Sequence, residues 1–368
     1  MYLWFLFSLF VYVFASLFGD VKNSSHIKLL LILILTFLAA FRFDVGTDYQ
    51  SYAILIEQIE SGDVSPVWAN KEKGFFYLVE FLLFLGANSQ AVFMVFSIAT
   101  VIFYFRGLAV YRFDGRLQIF SILVFMLTLY FYMLNGIRQA LAISIFFFAL
   151  KYIIERKILM YLVFLVFASF FHKTALVLIP FFWLLRIPLP FALYLVGVAA
   201  VSILHYSGGI SAMLTYYHHL KLPYYYYTVV SPGGNDLYDF AVLVSSFLLL
   251  CTVYIWSNLR GLMRAVVLNG FYVYIILKSL SGYSEVFVRA AFYFKIFSVP
   301  LIMSVAEYWM RRYQKDWGVI YVFFLSMLLS MSIAGIIARA QVDASYNNYA
   351  INMCFIGDPC PIYFGGKK

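Results

Sequence analysis

Long apolar stretches separated by short polar connections repeat along almost the whole chain. Many of them run for about 20 residues with almost no charge, which is the length that a helix needs to cross the hydrocarbon core of a bilayer. The apolar positions are continuous and do not alternate with polar ones, which excludes a membrane β-barrel. The pattern therefore predicts an all-α polytopic integral membrane protein.

The lengths of these stretches predict about 12 transmembrane helices, allowing for tilt and ragged ends. We place the spans near residues 1–18, 27–41, 91–108, 117–135, 138–154, 158–171, 174–187, 189–205, 237–256, 265–280, 290–308 and 317–336. Segment 75–85 is short and carries Glu80, so an interfacial or re-entrant helix is as natural there as a span. The two halves of the chain have no matching pair of broken helices, which weakens an inverted-repeat transporter.

Composition supports the membrane assignment. Of the 368 residues, 64% are hydrophobic and 12% are charged, whereas a soluble domain is about half apolar and a quarter charged. We expect a single transmembrane domain over residues 1–368. Three cysteines are too few for a disulfide scaffold or a metal cluster, and no metal or other cofactor is expected. Cys354 and Cys360 are predicted to form a disulfide in an oxidising compartment.

The distribution of basic residues predicts the orientation in the membrane. The net charge of +9 is dispersed over the connections, as the positive-inside bias produces, so no nucleic-acid partner is expected. Basic connections near 106–116, 151–157, 260–264 and 311–315 alternate correctly and are assigned to the cytoplasm. If 75–85 does not cross, the N-terminus lies outside, and if it crosses, the N-terminus lies inside.

We prefer the first solution because the start of the chain lacks basic residues and segment 42–74 is long and acidic overall. The site regions then share the outer face of the membrane. The outer connections on this assignment are 42–90, 135–138, 171–174, 206–236, 281–289 and the tail 337–368.

The first stretch with candidate chemistry is FRFDVGTDYQSY, residues 41–52. Arg42, Asp44 and Asp48 follow directly on an apolar span. Thr47 and Gln50 form a capping-box pattern, so a helix should begin at Asp48. Its apolar positions recur at helical spacing, which predicts an amphipathic helix on the outer membrane surface. These positions are Tyr49, Tyr52, Ala53, Leu55, Ile56 and Ile59. Alternatively, Arg42 only snorkels to the headgroups and Asp48 only favours the helix start.

The stretch NGIRQALAISIFFFALKYIIERK, residues 135–157, places Arg138 and Gln139 in the first turn of a helix. A helix N-terminus exposes unpaired N–H groups and a partial positive charge. An arginine there adds a fork of donors, and together they favour an anion such as phosphate. Because the helix dipole favours an acid at this position, the arginine indicates function; the alternative is an interfacial anchor.

Two further stretches carry candidate residues. FFHKTALVLIP, residues 170–180, places His172 and Lys173 in a tight outer turn, where a histidine can exchange a proton near neutral pH. The alternative is a hydrogen-bonded structural histidine. SGYSEVFVRAAFYFKIF, residues 281–297, opens a span with Arg289 and carries Tyr293 one turn later. The alternative there is an ion pair between Arg289 and Glu285.

These stretches, in this order, resemble the EpsG family of bacterial polysaccharide polymerases, relatives of the Wzy-type O-antigen polymerases. FRFDVGTDYQSY is similar to the family's Arg, Gly-Thr-Asp-Tyr and Tyr signature, and NGIRQ to its Arg-Gln helix. FFHKT is similar to its His-containing segment, and RAAFYF to its later Arg and Tyr-Phe element. The agreement covers about residues 40 to 300; the tail after 336 matches nothing in the family pattern.

The resemblance implies an enzyme that joins lipid-linked oligosaccharide repeat units, with undecaprenyl-diphosphate-linked glycans as donor and acceptor. Its other expected partners are membrane lipid and the chain-length regulator and flippase of the same pathway. Arg42, Arg138 and Arg289 would hold the lipid diphosphate without a metal. The candidates for the catalytic base are His172, Asp44 and Asp48. The remaining predicted substrate-binding residues are Tyr49, Tyr52, Gln139, Lys173 and Tyr293.

Three other functions stay open at this point. A lipid-oligosaccharide flippase needs ionisable residues at mid-membrane depth, for which Lys278, Lys295 and Glu307 are the few candidates. An O-antigen ligase also needs arginines that bind diphosphate, so the residues barely separate it from a polymerase. A scaffold of the glycan assembly machinery is the third.

Overall fold

The computed structural model describes residues 24–43, 48–63, 72–113, 115–219, 236–313 and 350–351. Contacts divide the chain into two compact units, which are described separately. Unit one takes the described residues within 1–152, 157–179 and 336–368, and unit two those within 153–156 and 180–335. The predicted spans 1–18 and 317–336, Asp44, and the predicted disulfide lie outside the described residues.

Unit one is helical apart from one short β pairing. Its helices are α1 (Ser24–Ala40), α2 (Tyr49–Ser61), α3 (Lys73–Phe84), α4 (Ser89–Leu108), α5 (Gly115–Phe125), α6 (Phe131–Asn135), α7 (Ile137–Ile154) and α8 (Ile158–Phe171). A π-helical stretch, Met126–Tyr130, joins α5 to α6, and 3₁₀ helices Ala109–Tyr111 and Lys173–Leu178 follow α4 and α8. Strand β1 (Arg42–Phe43) pairs antiparallel with β2 (Ala350–Ile351), which places one point of the tail beside Arg42.

Helix α7 lies in the interior of unit one, since 78% of its 18 residues are buried. On one flank it meets α4, where a Cβ at Gly107 would lie 2.9 Å from the carbonyl carbon of Phe147, so these two helices pack backbone to backbone. On another flank the ring of Phe148 lies 5.0 Å from that of Phe164 in α8. This packing fixes the position of the first turn of α7, which carries Arg138.

Unit two contains α9 (Phe181–Leu184), α10 (Phe191–Tyr206), α11 (Gly209–His219), α12 (Asp236–Ile255), α13 (Gly261–Ser279), α14 (Glu285–Lys295) and α15 (Ser298–Tyr313). Helix α13 packs against α10, α12, α14 and α15. Its buried Asn269 accepts a hydrogen bond from the hydroxyl of Tyr194 at 2.5 Å and donates to the carbonyl of Ile187 at 2.7 Å. These bonds hold the turn after α9 against α13, because a buried amide is stable only when its hydrogen bonds are made.

The helical membrane character predicted from the sequence is confirmed, but the count of about 12 spans is not. Among the described residues, the helices long and apolar enough to cross are Ser89–Tyr111, Ile137–Ile154, Gly261–Ser279 and Val286–Arg312. A pair bent by 72°, Phe191–Tyr206 with Gly209–Tyr216, passes the same test together. The predicted span 174–187 is divided between a 3₁₀ helix and the four-residue α9. Shorter apolar helices are Lys28–Ala40, Ile158–Phe171 and Leu243–Ile255.

Two helices before α4 can be compared with the predictions made from the sequence. Helix α3 has 12 residues, which gives a length of about 18 Å against about 30 Å of hydrocarbon, and this favours the interfacial or re-entrant alternative for 75–85. Helix α2 begins at Tyr49, with Asp48 at its N-cap position.

The six apolar positions predicted for α2 are the six that the structure buries. They do not face lipid, however. The ring of Tyr49 stacks on Phe93 of α4 at 4.6 Å, and Tyr52 lies 6.1 Å from Phe75 of α3. The prediction of an amphipathic helix is therefore confirmed, whereas the expectation that its apolar face rests on the membrane is wrong.

Candidate functional site

The most unusual polar feature of unit one is a buried cluster of Glu72, Arg138 and His172. Nη1 of Arg138 donates to Oε2 of Glu72 at 2.6 Å, and Nδ1 of His172 lies 2.8 Å from Oε1 of the same carboxylate. The side chains of the three residues are only 10%, 16% and 11% exposed for Glu72, Arg138 and His172. Buried ionisable groups are rare in proteins unless they are paired, and they are frequent at functional sites.

Each of the three residues stands at the end of a helix. Glu72 directly precedes α3, and its carbonyl accepts the hydrogen bond of the Phe75 backbone N–H at 3.0 Å. Arg138 lies in the first turn of α7, after the break at Gly136. His172 ends α8 in an extended conformation, with φ −152° and ψ 109°. Helix ends are where the chain leaves its regular hydrogen bonding, so polar side chains gather there.

The guanidinium of Arg138 packs against two aromatic rings. Its Cζ is 5.2 Å from the ring centroid of Tyr52 and also 5.2 Å from that of Phe75. Nε donates to the hydroxyl of Tyr52 at 3.3 Å. Arg138 is therefore held by an ion pair and by contacts with two rings, whereas a snorkelling anchor extends to the lipid headgroups.

The carboxylate of Glu72 is kept ionised by its neighbours. Burial raises the pKa of Glu72, but the hydrogen bond from His172, the charge of Arg138 and the backbone N–H of Lys173 outweigh it and leave the pKa below its ordinary value of 4.5. Burial also raises the pKa of Tyr52, partly offset by the charge of Arg138, so this phenol stays protonated near neutral pH.

Other residues of the FRFDVGTDYQSY stretch lie in the same unit. The backbone N–H of Asp48 donates to Oδ1 of Asn135 at 2.9 Å, which joins the start of α2 to the end of α6. Arg42 is 1% exposed, and its Nη1 bonds to the carbonyl of Ala39 and lies 3.4 Å from the hydroxyl of Ser97. Arg42 is thus held inside the protein, and a purely snorkelling role for it is wrong.

Two further predicted residues, Gln139 and Lys173, directly follow Arg138 and His172 in the sequence. Gln139 is buried, and its Oε1 accepts from the hydroxyl of Tyr132 at 2.5 Å. Lys173 contributes its backbone N–H to Glu72, while its side chain is exposed. The structure therefore brings Tyr52, Arg138 and His172 together and places Asp48 next to Asn135.

Arg289 and Tyr293 belong to unit two. Arg289 is exposed on α14, Tyr293 is 1% exposed, and Ser284 caps the helix by accepting from the N–H of Val286 at 3.1 Å. The side chain of Glu285 lies outside the described part of the chain, so its predicted pairing with Arg289 stays a prediction.

Glu72 is the site residue that the sequence did not indicate. It lies 100 residues before His172 and 66 before Arg138. The available signal was an acid two residues before Gly74 at the start of an apolar helix, which is also typical of an ordinary helix start. Among the described residues, no group of three or more His, Cys, Asp or Glu side chains could hold a metal ion.

Comparison with known protein families identifies a match over most of the chain. The profile of the EpsG family covers residues 26–350 of the 368-residue chain. No curated protein and no solved structure matches the chain. The matched range contains each stretch that carries the resemblance and all three residues of the cluster. The chain therefore belongs to the EpsG family, whose members are Wzy-type polysaccharide polymerases.

Proposed function

We propose that this protein joins undecaprenyl-diphosphate-linked oligosaccharide repeat units on the outer face of the bacterial cytoplasmic membrane. The observation that carries the proposal is the convergence of Arg138 and His172 on one buried carboxylate, in a chain of a polymerase family. A cation and a proton acceptor are the two groups that transfer from a lipid diphosphate requires.

In the proposed reaction the acceptor sugar hydroxyl attacks the anomeric carbon of the donor glycan. A C–O bond forms between acceptor and donor, and the bond from the anomeric carbon to the diphosphate oxygen breaks. The diphosphate leaves with the electron pair. The hydroxyl proton passes to Nε2 of His172, which is buried without a hydrogen-bond partner among the described residues. The proton then leaves to solvent as His172 returns to its neutral form.

Arg138 is the preferred diphosphate ligand of unit one. A guanidinium stays charged and presents a planar fork of donors that matches phosphate oxygens. Arg138 also lies in the first turn of α7, and the positive end of a helix dipole favours an anion. Arg42 is less suited to this role, because it is only 1% exposed, whereas the side chain of Arg138 is 16% exposed. The predicted substrate-binding roles of Arg289 and Tyr293 in α14 stay predictions.

Among the candidate bases, the geometry favours His172. Its Nδ1 is held by Glu72 at 2.8 Å, which leaves the opposite nitrogen for proton transfer. Asp48 stands at the start of α2, where its negative charge also stabilises the helix. Asp44 lies outside the described residues and stays an alternative.

The phenotype of a strain that lacks this protein tests the proposed function. A strain without the polymerase should carry single repeat units on its surface and no longer chains. Loss of a ligase would leave no units there, and loss of a flippase would strand them on the cytoplasmic leaflet. A normal ladder of glycan lengths in the deletion strain would overturn the proposal.

The proposed orientation is tested at Ser61, an exposed residue at the end of α2. With Cys251, Cys354 and Cys360 replaced by serine, Ser61→Cys should react with a membrane-impermeant maleimide in intact spheroplasts. The matched control is Glu155→Cys, which lies in a connection assigned to the cytoplasm and should react only after lysis. Protection of the Ser61→Cys thiol in intact spheroplasts would reject this orientation.

A further inference from the structure

Glu72 lies at the centre of the cluster and is the group that its other members share. Its two carboxylate oxygens have separate partners: Oε1 faces Nδ1 of His172 at 2.8 Å and Oε2 accepts from Arg138 at 2.6 Å. The backbone N–H of Lys173 also donates to it. An ion pair on the protein surface would leave one oxygen to water, whereas this carboxylate is held from three sides.

The state of the carboxylate decides the state of the imidazole. An ionised carboxylate only accepts hydrogen bonds, so Nδ1 of His172 must carry a proton. Burial opposes ionisation of Glu72, but the hydrogen bond of His172 and the charge of Arg138 prevail and lower the pKa of Glu72. In the neutral imidazole the lone pair therefore resides on Nε2, the nitrogen that faces away from Glu72.

We infer that Glu72 is a positioning residue of the polymerase site: it fixes the Nδ1–H tautomer of His172, aims Nε2 at the acceptor hydroxyl, and ties this base to Arg138. The inference rests on the proposed function and deepens it. When His172 takes the acceptor proton, the nearby carboxylate stabilises the imidazolium that forms. The same carboxylate holds Arg138 in place, so that the distance between the base and the diphosphate ligand stays constant.

The contact between α3 and α8 sets the distance on which this role depends. Gly74 follows Glu72 by two residues, and Phe170 precedes His172 by two. A Cβ added at Gly74 would overlap the Cβ of Phe170 and lie 2.9 Å from its carbonyl oxygen, so the two backbones meet with no room for a side chain. Because each site residue is two positions along the chain from this contact, a separation of the helices would draw Glu72 away from His172.

A purely structural explanation has to be distinguished from this role. Glu72 could serve only as the counter-ion that allows Arg138 to be buried. In that case, removing its charge lowers the amount of folded protein, and the protein that remains works with an unchanged dependence on pH. A positioning role predicts instead a slower reaction in folded protein and a changed pH profile.

The experiment measures initial rates of polymerisation by the purified protein in lipid nanodiscs between about pH 5.5 and pH 9, a range that brackets histidine titration. The substrate is the lipid-linked single unit extracted from the deletion strain. Glu72→Gln should lower the rate per folded molecule by about 10- to 100-fold, as is typical when a residue that orients a functional group is lost. The acidic limb of its pH–rate profile is the range in which the rate falls as the pH is lowered. This limb should move to lower pH in Glu72→Gln, because the amide does not stabilise the imidazolium.

Two further variants serve as controls for Glu72→Gln. Glu72→Asp keeps the charge and should retain the position of the acidic limb at a reduced rate. Glu80→Gln, an exposed carboxylate on the same helix α3, should leave both rate and profile unchanged. A Glu72→Gln protein with the normal rate per folded molecule, or with a lowered rate and an unmoved acidic limb, would overturn the positioning role.

Gly74→Ala keeps the inference testable if Glu72→Gln does not fold. It leaves every charge in place and pushes α3 from α8, so it should also lower the rate and move the acidic limb to lower pH. A Gly74→Ala protein with the normal rate and profile would contradict the inference. A normal glycan ladder in the deletion strain would overturn the proposed function. An unmoved pH profile would overturn only the positioning role of Glu72, so the two failures can be told apart.

Discussion

Arg138→Ala should abolish polymerisation while single repeat units still reach the cell surface. The substitution removes the guanidinium proposed to hold the departing diphosphate, and single units depend on other proteins for flipping and ligation. Loss of one such electrostatic contact typically costs a factor of about 10² to 10³ in rate. Arg138→Lys should also be severely impaired, because lysine keeps the charge but loses the planar fork and the Nε contact to Tyr52. The measurement is the ladder of glycan lengths on a gel.

The structure also changes what Arg138→Ala does to stability. As an exposed interfacial anchor, Arg138 would contribute about 1 kcal/mol or less. Its side chain is instead only 16% exposed and bonded to Glu72 at 2.6 Å. Removing one partner of a buried pair costs about 3–5 kcal/mol, because the other charge is left uncompensated. The amount of Arg138→Ala protein in the membrane should therefore fall.

A double variant separates this loss of stability from the loss of function. Glu72→Gln combined with Arg138→Ala removes the uncompensated charge and should raise the protein level above that of Arg138→Ala alone. It should still give no ladder. The matched control is Arg311→Ala, whose side chain is 72% exposed in a surface pair with Glu307, and it should show a normal ladder. A normal ladder with Arg138→Ala would return Arg138 to a structural role.

His172→Asn should lower the polymerisation rate by about 10² to 10⁴, the usual contribution of a general base. The asparagine amide can still donate to Glu72 from the position of Nδ1, and the pair of Glu72 with Arg138 remains. Protein level should change little, so the loss can be assigned to chemistry. Initial rates with lipid-linked single units measure it.

The control for this variant is His26→Asn, an exposed histidine in α1, which should have the rate of the unmodified protein. Comparison with Asp48→Asn tests the rival base, and we expect that variant to lose less activity than His172→Asn. If His172→Asn keeps more than about half of the normal rate, proton transfer does not pass through His172. Asp44 and Asp48 would then be the leading candidates.

Much about this protein was determined by its sequence alone. Continuous apolar stretches established a helical membrane protein, since transfer of such segments out of water is favourable in any arrangement. Helical spacing identified the buried face of α2 residue by residue, from Tyr49 to Ile59. The position of Arg138 in the first turn of α7 was also predicted, because a helix start is encoded by the residues next to it. The order of the motifs indicated the EpsG family, which the match over 26–350 confirmed.

Only the tertiary structure decided what those elements pack against. Hydropathy reports that a side chain leaves water and does not distinguish lipid from protein, so α2 was assigned to the membrane surface although Tyr49 packs on Phe93. The partner of His172 lies 100 residues away, and nothing local in the sequence specifies a pairing over that distance. It arises where Gly74 lets α3 meet Phe170 of α8. Close packing between distant helices, and not the pattern within either one, therefore makes Glu72 the shared partner of Arg138 and His172.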